Sequence, residues 1–283
     1  METNLYLKQV YCRNEYDVMK RVVVCKPTFL SLGNPLRVVN RGSIETTIDL
    51  DKAMSQHGLF IKKLQEYEIE VNYLEPKAPY TEGVFTRDVG FVLGEEMFIS
   101  KMAHPPRVGE EQVLIDWLNH EGIPHQDLTK DHIEGGDVLV DGRYIFVGVS
   151  NRTNLVSVQH LQALLLNFEV KALPFSDKFL HLDCIFNIVS PTEALLYPGE
   201  LSKEDEAFIT SKYEIIELSK REQATLGTNI LSIGHKRIIS EPMNEEVNRK
   251  LRNRGFEVIE VPFSELIKAG GSFRCCSLPL IRK

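Results

Sequence analysis

Asp137-Val138-Leu139-Val140-Asp141-Gly142-Arg143-Tyr144-Ile145-Phe146-Val147-Gly148-Val149 is the stretch whose reading decides the fold. Two runs of β-branched and aromatic residues flank an Asp-Gly pair, a strong short-range signal for a β-hairpin. The same plan recurs at residues 88–100, turning at Gly94-Glu95-Glu96, and at residues 183–197, turning at Ser190-Pro191. It appears again at residues 229–240, turning at Gly234-His235-Lys236. Helix-like spacing follows each hairpin, at 110–121, 156–166, 203–212 and 244–254, and then a single strand. The hairpins begin at Asp88, Asp137, Asp183 and Asn229, and a fifth start falls at Cys275, with intervals of 49, 46, 46 and 46 residues. A fixed period of this length marks an array of like units, here strand–strand–helix–strand. The fifth unit runs out at Lys283, and the β-branched strand at 21–26 can supply what it lacks. The spacing therefore predicts a closed α/β ring of five blades with no linker. The start of every unit faces the axis, so five residues far apart in sequence converge there.

Composition narrows the function. The chain has 283 residues, 43% hydrophobic and 26% charged, which fits a soluble globular protein. No apolar run reaches the length of a membrane span, and the first ten residues lack a secretory pattern. A net charge of −7 argues against general nucleic-acid binding. Cys12, Cys25, Cys184, Cys275 and Cys276 are odd in number and lack zinc-ligand spacing, so reduced thiols in the cytoplasm are expected. The long segment 28–42, centred on Gly33-Asn34-Pro35, reads as a functional loop and a candidate lid. Residues 51–67 have helical spacing and 69–74 alternate as a strand.

Chemistry concentrates on the predicted axis. Gly270-Gly271-Ser272-Phe273-Arg274-Cys275-Cys276 is a glycine turn that presents a thiol at the mouth of an apolar strand. By themselves the two cysteines would pass for small buried hydrophobes. A cysteine nucleophile needs thiolate character and a proton-transfer partner. His181 stands two residues before Asp183, and on a strand the two side chains would share the face that looks at the centre. Glu134-Gly135-Gly136-Asp137 places two carboxylates around a stripped backbone, with Glu134 able to orient His181. Asp88 and Asp183 beside a thiol point to a cationic substrate. A planar guanidinium suits paired carboxylates, and its carbon is electrophilic.

Taken together, these segments resemble the guanidino-group-modifying (pentein) superfamily of arginine deiminases, dimethylarginine dimethylaminohydrolases and amidinotransferases. Phe85-Thr86-Arg87-Asp88 and His181-Leu182-Asp183 are similar to deiminase motifs, and Glu134-Gly135-Gly136-Asp137 is shared across the superfamily. Arg274-Cys275-Cys276-Ser277 resembles the nucleophile segment of both hydrolase groups, and residues 136–154 resemble the dimethylarginine hydrolase version. There are departures. Dimethylarginine hydrolases carry a lysine where Asp183 stands, an acid where Arg87 stands and an aspartate at the position of Gly270. Deiminases carry an inserted helical domain.

The resemblance implies a five-bladed pseudo-symmetric α/β propeller, residues 1–283 forming one hydrolase domain. Cys275 would be the nucleophile, His181 the general acid and base, and Glu134 its partner. Asp88 and Asp183 would grip the guanidinium, with Phe85 packed on it. Arg107 and Arg152 would bind the substrate carboxylate, and Glu82 the α-amino group. The expected activity is dimethylarginine dimethylaminohydrolase-like: hydrolysis of a guanidinium C–N bond in a free arginine-like molecule, giving citrulline plus an amine or ammonia. Deiminase or amidinotransferase chemistry is the alternative, and a non-catalytic binding module on the same ring is the rival from another class. No cofactor, metal, nucleic acid or membrane partner is implied, and a homodimer is compatible with the reading.

Overall fold

A computed structural model describes residues 10–31, 47–128 and 131–283. The candidate lid beyond Ser31, with its Gly33-Asn34-Pro35 centre, lies outside the described residues.

Five three-stranded sheets make up the ring. Strand β1 (Met19–Cys25) is followed by helix α1 (Leu50–Glu66) and β2 (Glu70–Leu74), which returns parallel to β1. The hairpin β3 (Gly90–Leu93) and β4 (Glu96–Ile99) leads through α2 (Glu111–Glu121) to β5 (Gln126–Asp127). Next come β6 (Val138–Asp141), β7 (Tyr144–Val149), α3 (Leu155–Leu164) and β8 (Glu169–Pro174). The fourth set is β9 (Phe186–Ile188), β10 (Glu193–Leu196), α4 (Lys203–Lys212) and β11 (Glu214–Glu217). A short helix α5 (Lys220–Ala224) precedes β12 (Leu231–Gly234), β13 (Arg237–Ser240), α6 (Glu245–Asn253) and β14 (Glu257–Glu260). After helix α7 (Ser264–Ala269), strand β15 (Leu278–Arg282) pairs antiparallel with β1 and closes the ring. The result is the five-fold pseudo-symmetric α/β propeller that the 46-residue period implies.

Local chemistry explains the repeat. Each hairpin joins its third strand through a helix because a parallel neighbour needs a crossover. The inner strands β3 and β12 are buried at every position and β6 at every position but Asp141, so they lack the in–out alternation of a half-exposed strand. At the β6–β7 turn, Asp141 pairs with Tyr144, and Gly142 takes φ of 60° at the first central position. Asp49 caps α1 by accepting from the Lys52 N–H at 3.0 Å, and Asn154 does the same for α3 at Ser157. The core lies between neighbouring blades rather than inside one. Phe91, Leu93, Val138 and Val140, from two sheets, share one cluster, and Phe60, Phe263 and Phe273 anchor another. Among the described residues no helix is long and apolar enough to cross a membrane.

One feature carries no periodic signal in the sequence. Residues 10–18 run beneath the ring and touch blade after blade. Tyr11 bridges to Ile281, Cys12 to Gly94 and Asn14 to Asp141, while the Val18 carbonyl accepts from Lys283 N–H.

Candidate active site

Contacts from three other parts of the chain build the turn that carries Cys275. The Asn229 side-chain oxygen accepts from the backbone N–H groups of Ser272 (3.2 Å) and Cys275 (3.1 Å). Phe273 stacks on Phe263 with ring centroids 4.2 Å apart. The Arg87 N–H donates to the Cys275 carbonyl at 3.0 Å, which ties residues 85–88 to the cysteine. Gly271 is a glycine for space: a Cβ there would lie 2.6 Å from Phe85 Cδ1 and 2.9 Å from Cys275 Cβ. The Phe85 ring therefore lies beside the Cys275 turn.

Cys275 Sγ lies 3.7 Å from Asp183 Oδ2 and 4.0 Å from Oδ1, and both residues are buried. Burial, then the charges of Asp183 and Asp88, push the thiol well above its usual range. Arg274 donates from Nη1 to Asp183 Oδ2 at 2.7 Å and is itself only 1% exposed.

His181 and Glu134 meet directly, with Nε2 and Oε2 2.7 Å apart. The strand reading of residues 181–183 is corrected here. His181 is the N-cap of a single 3-10 turn, Leu182–Cys184, and the turn rather than a strand face aims His181 and Asp183 inward. A three-residue turn leaves no periodicity for a sequence to display. Asp137 fixes that turn by accepting from the Leu182 N–H at 2.8 Å and from the Thr153 hydroxyl at 2.7 Å. Burial raises the Asp137 carboxyl to about 7. Burial also opposes a charge on His181, yet Asp88, Glu134 and Asp137 overcome it and lift the imidazole to about 9. On Glu134, burial works against ionisation, but the bond to His181 and the charges of His181, Arg152 and Arg107 hold the carboxyl far below its usual value.

Asp88 completes the cluster. Its Oδ1 lies 3.6 Å from His181 Nδ1 and, although buried, has no hydrogen-bond partner among the described residues. Its Oδ2 accepts from Arg107 Nη1 at 2.5 Å. Arg107 also forks onto Glu110 at 2.9 and 2.7 Å and lies 3.7 Å from Glu82. Arg152 donates to both oxygens of Glu134 at 3.3 and 3.2 Å. Both candidate carboxylate ligands thus hold acids in this state. A substrate carboxylate would have to share or replace those bonds.

All nine residues singled out from the sequence lie in this connected network. Sequence reasoning missed Asn229 as the brace of the cysteine turn, although it stood at a repeat start, and missed Glu110, which no pattern marked. It also missed that Arg274 reaches Asp183.

Comparison with known proteins adds the family. A family model described as N,N dimethylarginine dimethylhydrolase, eukaryotic, matches residues 38–282. The uncharacterized protein YkgA of Bacillus subtilis (strain 168) is 41% identical over 271 residues, 96% of this chain and 95% of that one. The bifunctional arginine dihydrolase/ornithine cyclodeaminase AgrE of Nostoc sp. (strain PCC 7120) is 29% identical over 91% of this chain, which spans 37% of AgrE. The product-bound N-terminal domain of ArgZ, an arginine dihydrolase from the ornithine-ammonia cycle in cyanobacteria, superposes with a TM-score of 0.85 at 27% identity. That superposition covers 94% of this chain and 98% of the domain.

Proposed function

This chain belongs to the N,N dimethylarginine dimethylhydrolase family, within the pentein superfamily of enzymes acting on guanidino C–N bonds, and we propose that it hydrolyses the guanidinium of a free arginine-like molecule through Cys275. In this reading residues 1–283 act as one catalytic domain. The observation that carries it is the buried Asp88 Oδ1, which lacks a donor among the described residues and lies beside His181, while Asp183 flanks the Cys275 sulfur. A buried acceptor left unpaired costs about 1–3 kcal/mol, which a guanidinium N–H would recover.

A guanidinium held between Asp88 and Asp183, against Phe85, would bring its positive charge to the thiol. That charge offsets the two carboxylates that keep the thiol protonated, and the thiol proton leaves to solvent. The thiolate adds to the guanidinium carbon and forms a C–S bond. The His181 imidazolium gives a proton to one nitrogen, which departs as ammonia or an amine and leaves a covalent S-alkylthiouronium. Neutral His181 then takes a proton from water as the hydroxide adds to the same carbon. Collapse breaks the C–S bond, and the ureido product leaves, citrulline when the substrate is arginine. Glu134 holds His181 in place throughout. Arg107, Arg152 and Glu82 are assigned to the substrate's carboxylate and amino groups. Paired carboxylates favour nitrogens that keep their protons, so arginine or monomethylarginine is the expected substrate over the asymmetric dimethyl form.

The test is ureido-product formation from arginine, monomethylarginine, asymmetric dimethylarginine and agmatine, with ornithine and amine acceptors also monitored. Cys275→Ser is expected to abolish turnover, Cys276→Ala to keep most of it, and acid-quenched wild type to carry the adduct mass on the Cys275 peptide. Equal loss in both folded variants, or full turnover in Cys275→Ser, overturns the proposal.

A further inference from the structure

Glu15 belongs to the segment beneath the ring, on no blade, and nothing in its sequence neighbourhood marks it. Its side chain is nevertheless 6% exposed and reaches into the axis. Glu15 Oε1 accepts from Arg274 Nη2 at 3.2 Å and from the Val140 N–H at 3.3 Å, and Oε2 lies 3.9 Å from Arg87 Nη2. Arg274 is the link to the reaction centre. The same guanidinium donates from Nη2 to the Val138 carbonyl at 2.7 Å and from Nη1 to Asp183 Oδ2 at 2.7 Å, and Asp183 lies against Cys275 Sγ. An unbroken chain, Glu15–Arg274–Asp183–Cys275, runs from the underside of the propeller to the sulfur.

We infer that Glu15 is a positioning residue for the hydrolysis proposed above, holding back part of the Arg274 charge so that Asp183 keeps its pull on a substrate guanidinium. The reasoning is electrostatic. Arg87 and Arg274 are both buried and repel each other, which helps bring the Arg87 guanidinium down to about 10 after burial has begun the drop. Glu15 is the carboxylate between them. Burial opposes its charge, but Arg274, Arg87 and Arg282 hold its carboxyl down at about 2. Arg87 Nε and Nη2 and Arg274 Nε have no hydrogen-bond partner among the described residues. If the Glu15 charge were removed, both guanidiniums would turn their field on Asp183, the next carboxylate along the chain. A screened Asp183 binds a guanidinium less tightly, and it raises the thiol less.

Two independent readouts follow, one of which does not depend on turnover. The thiol is faced by Asp183, Asp88, Cys184 and Cys276, and Glu15 by Arg274, Arg87, Arg282, Cys12 and Asp141. Glu15→Gln keeps the shape and loses only the charge. The rate of Cys275 alkylation by iodoacetamide, read on the Cys275 peptide by mass spectrometry, should show its midpoint shifted down by about one pH unit. KM for the guanidino substrate should rise about tenfold, with kcat falling much less, the scale of one weakened charge-assisted contact. Glu15→Asp, which keeps the charge but draws it back by one methylene, should lie midway between wild type and Glu15→Gln, with KM up about threefold and the midpoint lowered by about half a pH unit. A merely structural plug would lower the melting temperature and leave the midpoint and KM at wild-type values, and that result overturns the inference. If Glu15→Gln does not fold, Glu15→Asp decides: about a threefold KM rise supports the inference, and wild-type values for both quantities overturn it. If no guanidino compound is turned over, the hydrolase reading fails while the alkylation midpoint still decides the role of Glu15.

Discussion

In the proposed reaction His181 carries the proton, and its resting state is set by its neighbours. Burial favours the neutral ring, but Asp88 at 3.6 Å and Glu134 at 2.7 Å favour the imidazolium more, and the balance lies at about 9. The imidazolium, which the proposed mechanism uses as the acid that expels the first amine, is present at neutral pH and is lost as pH rises through about 9. The basic limb of kcat/KM is therefore expected near 9 in the wild type. Glu134→Gln removes a charge that raises His181, so its basic limb should move down toward the ordinary value of 6.5. A pH–rate profile of the two proteins checks this, and an unmoved basic limb would detach Glu134 from His181 titration. The stability contribution of the raised His181 has the same sign: it is complete below about 6.5 and lost as pH rises through about 9.

At the scale of elements, the 3-10 turns do the work that strands were expected to do. Residues Gly135–Asp137 form one such turn and Leu182–Cys184 another, and each opens a blade. Gly136 is confined by its neighbours rather than by its backbone. A Cβ there would lie 2.6 Å from the His181 ring and 2.8 Å from Asp88 Oδ1. Gly136→Ala must push His181 or Asp88 aside, so it should cost about 1–3 kcal/mol of stability and lower kcat/KM at least about a hundredfold. Gly135 faces the carbonyl oxygens of Arg87 and Gly90, which are backbone and yield less, so Gly135→Ala is expected to prevent folding. Urea melts and steady-state rates separate the two, and a fully active Gly136→Ala would remove the steric argument. The hairpins were legible in sequence because buried strands and the glycine or proline turns between them leave a pattern over a dozen residues. The turns were legible only as clusters of glycine and acid, and Glu110 and Glu15 not at all. Their roles depend on Arg107 and Arg274, whose reach no spacing encodes.

For the molecule as a whole, the consequence of closure is that no blade is terminal. In an open array of repeats each unit touches only its neighbours, so the last unit is held from one side alone. Here β15 is both the last strand and the partner of β1, through Met19↔Arg282, Arg21↔Ile281, Val22↔Pro279 and Val23↔Leu278. Leu278, Leu280 and Ile281 are buried in the cluster that also holds Val10, Val89 and Met97, so they join the first and last parts of the chain. Arg282 donates to the Asp17 carbonyl under the ring and to the Ser232 carbonyl on β12, each at 2.9 Å. Burial of three such side chains contributes about 1.5–3 kcal/mol each, a sum comparable with the about 5–15 kcal/mol that holds a whole domain. Truncation after Ser277 leaves every predicted catalytic residue in place, yet it should abolish the cooperative urea transition rather than shift it. The full chain should lose far-UV circular dichroism, Cys275 protection from alkylation and near-UV signal in one coincident step. A truncated protein that keeps a sigmoidal transition, or a full chain whose probes separate, would mean that the blades are stable independently and that closure is not what holds the five starts of the repeat at one axis.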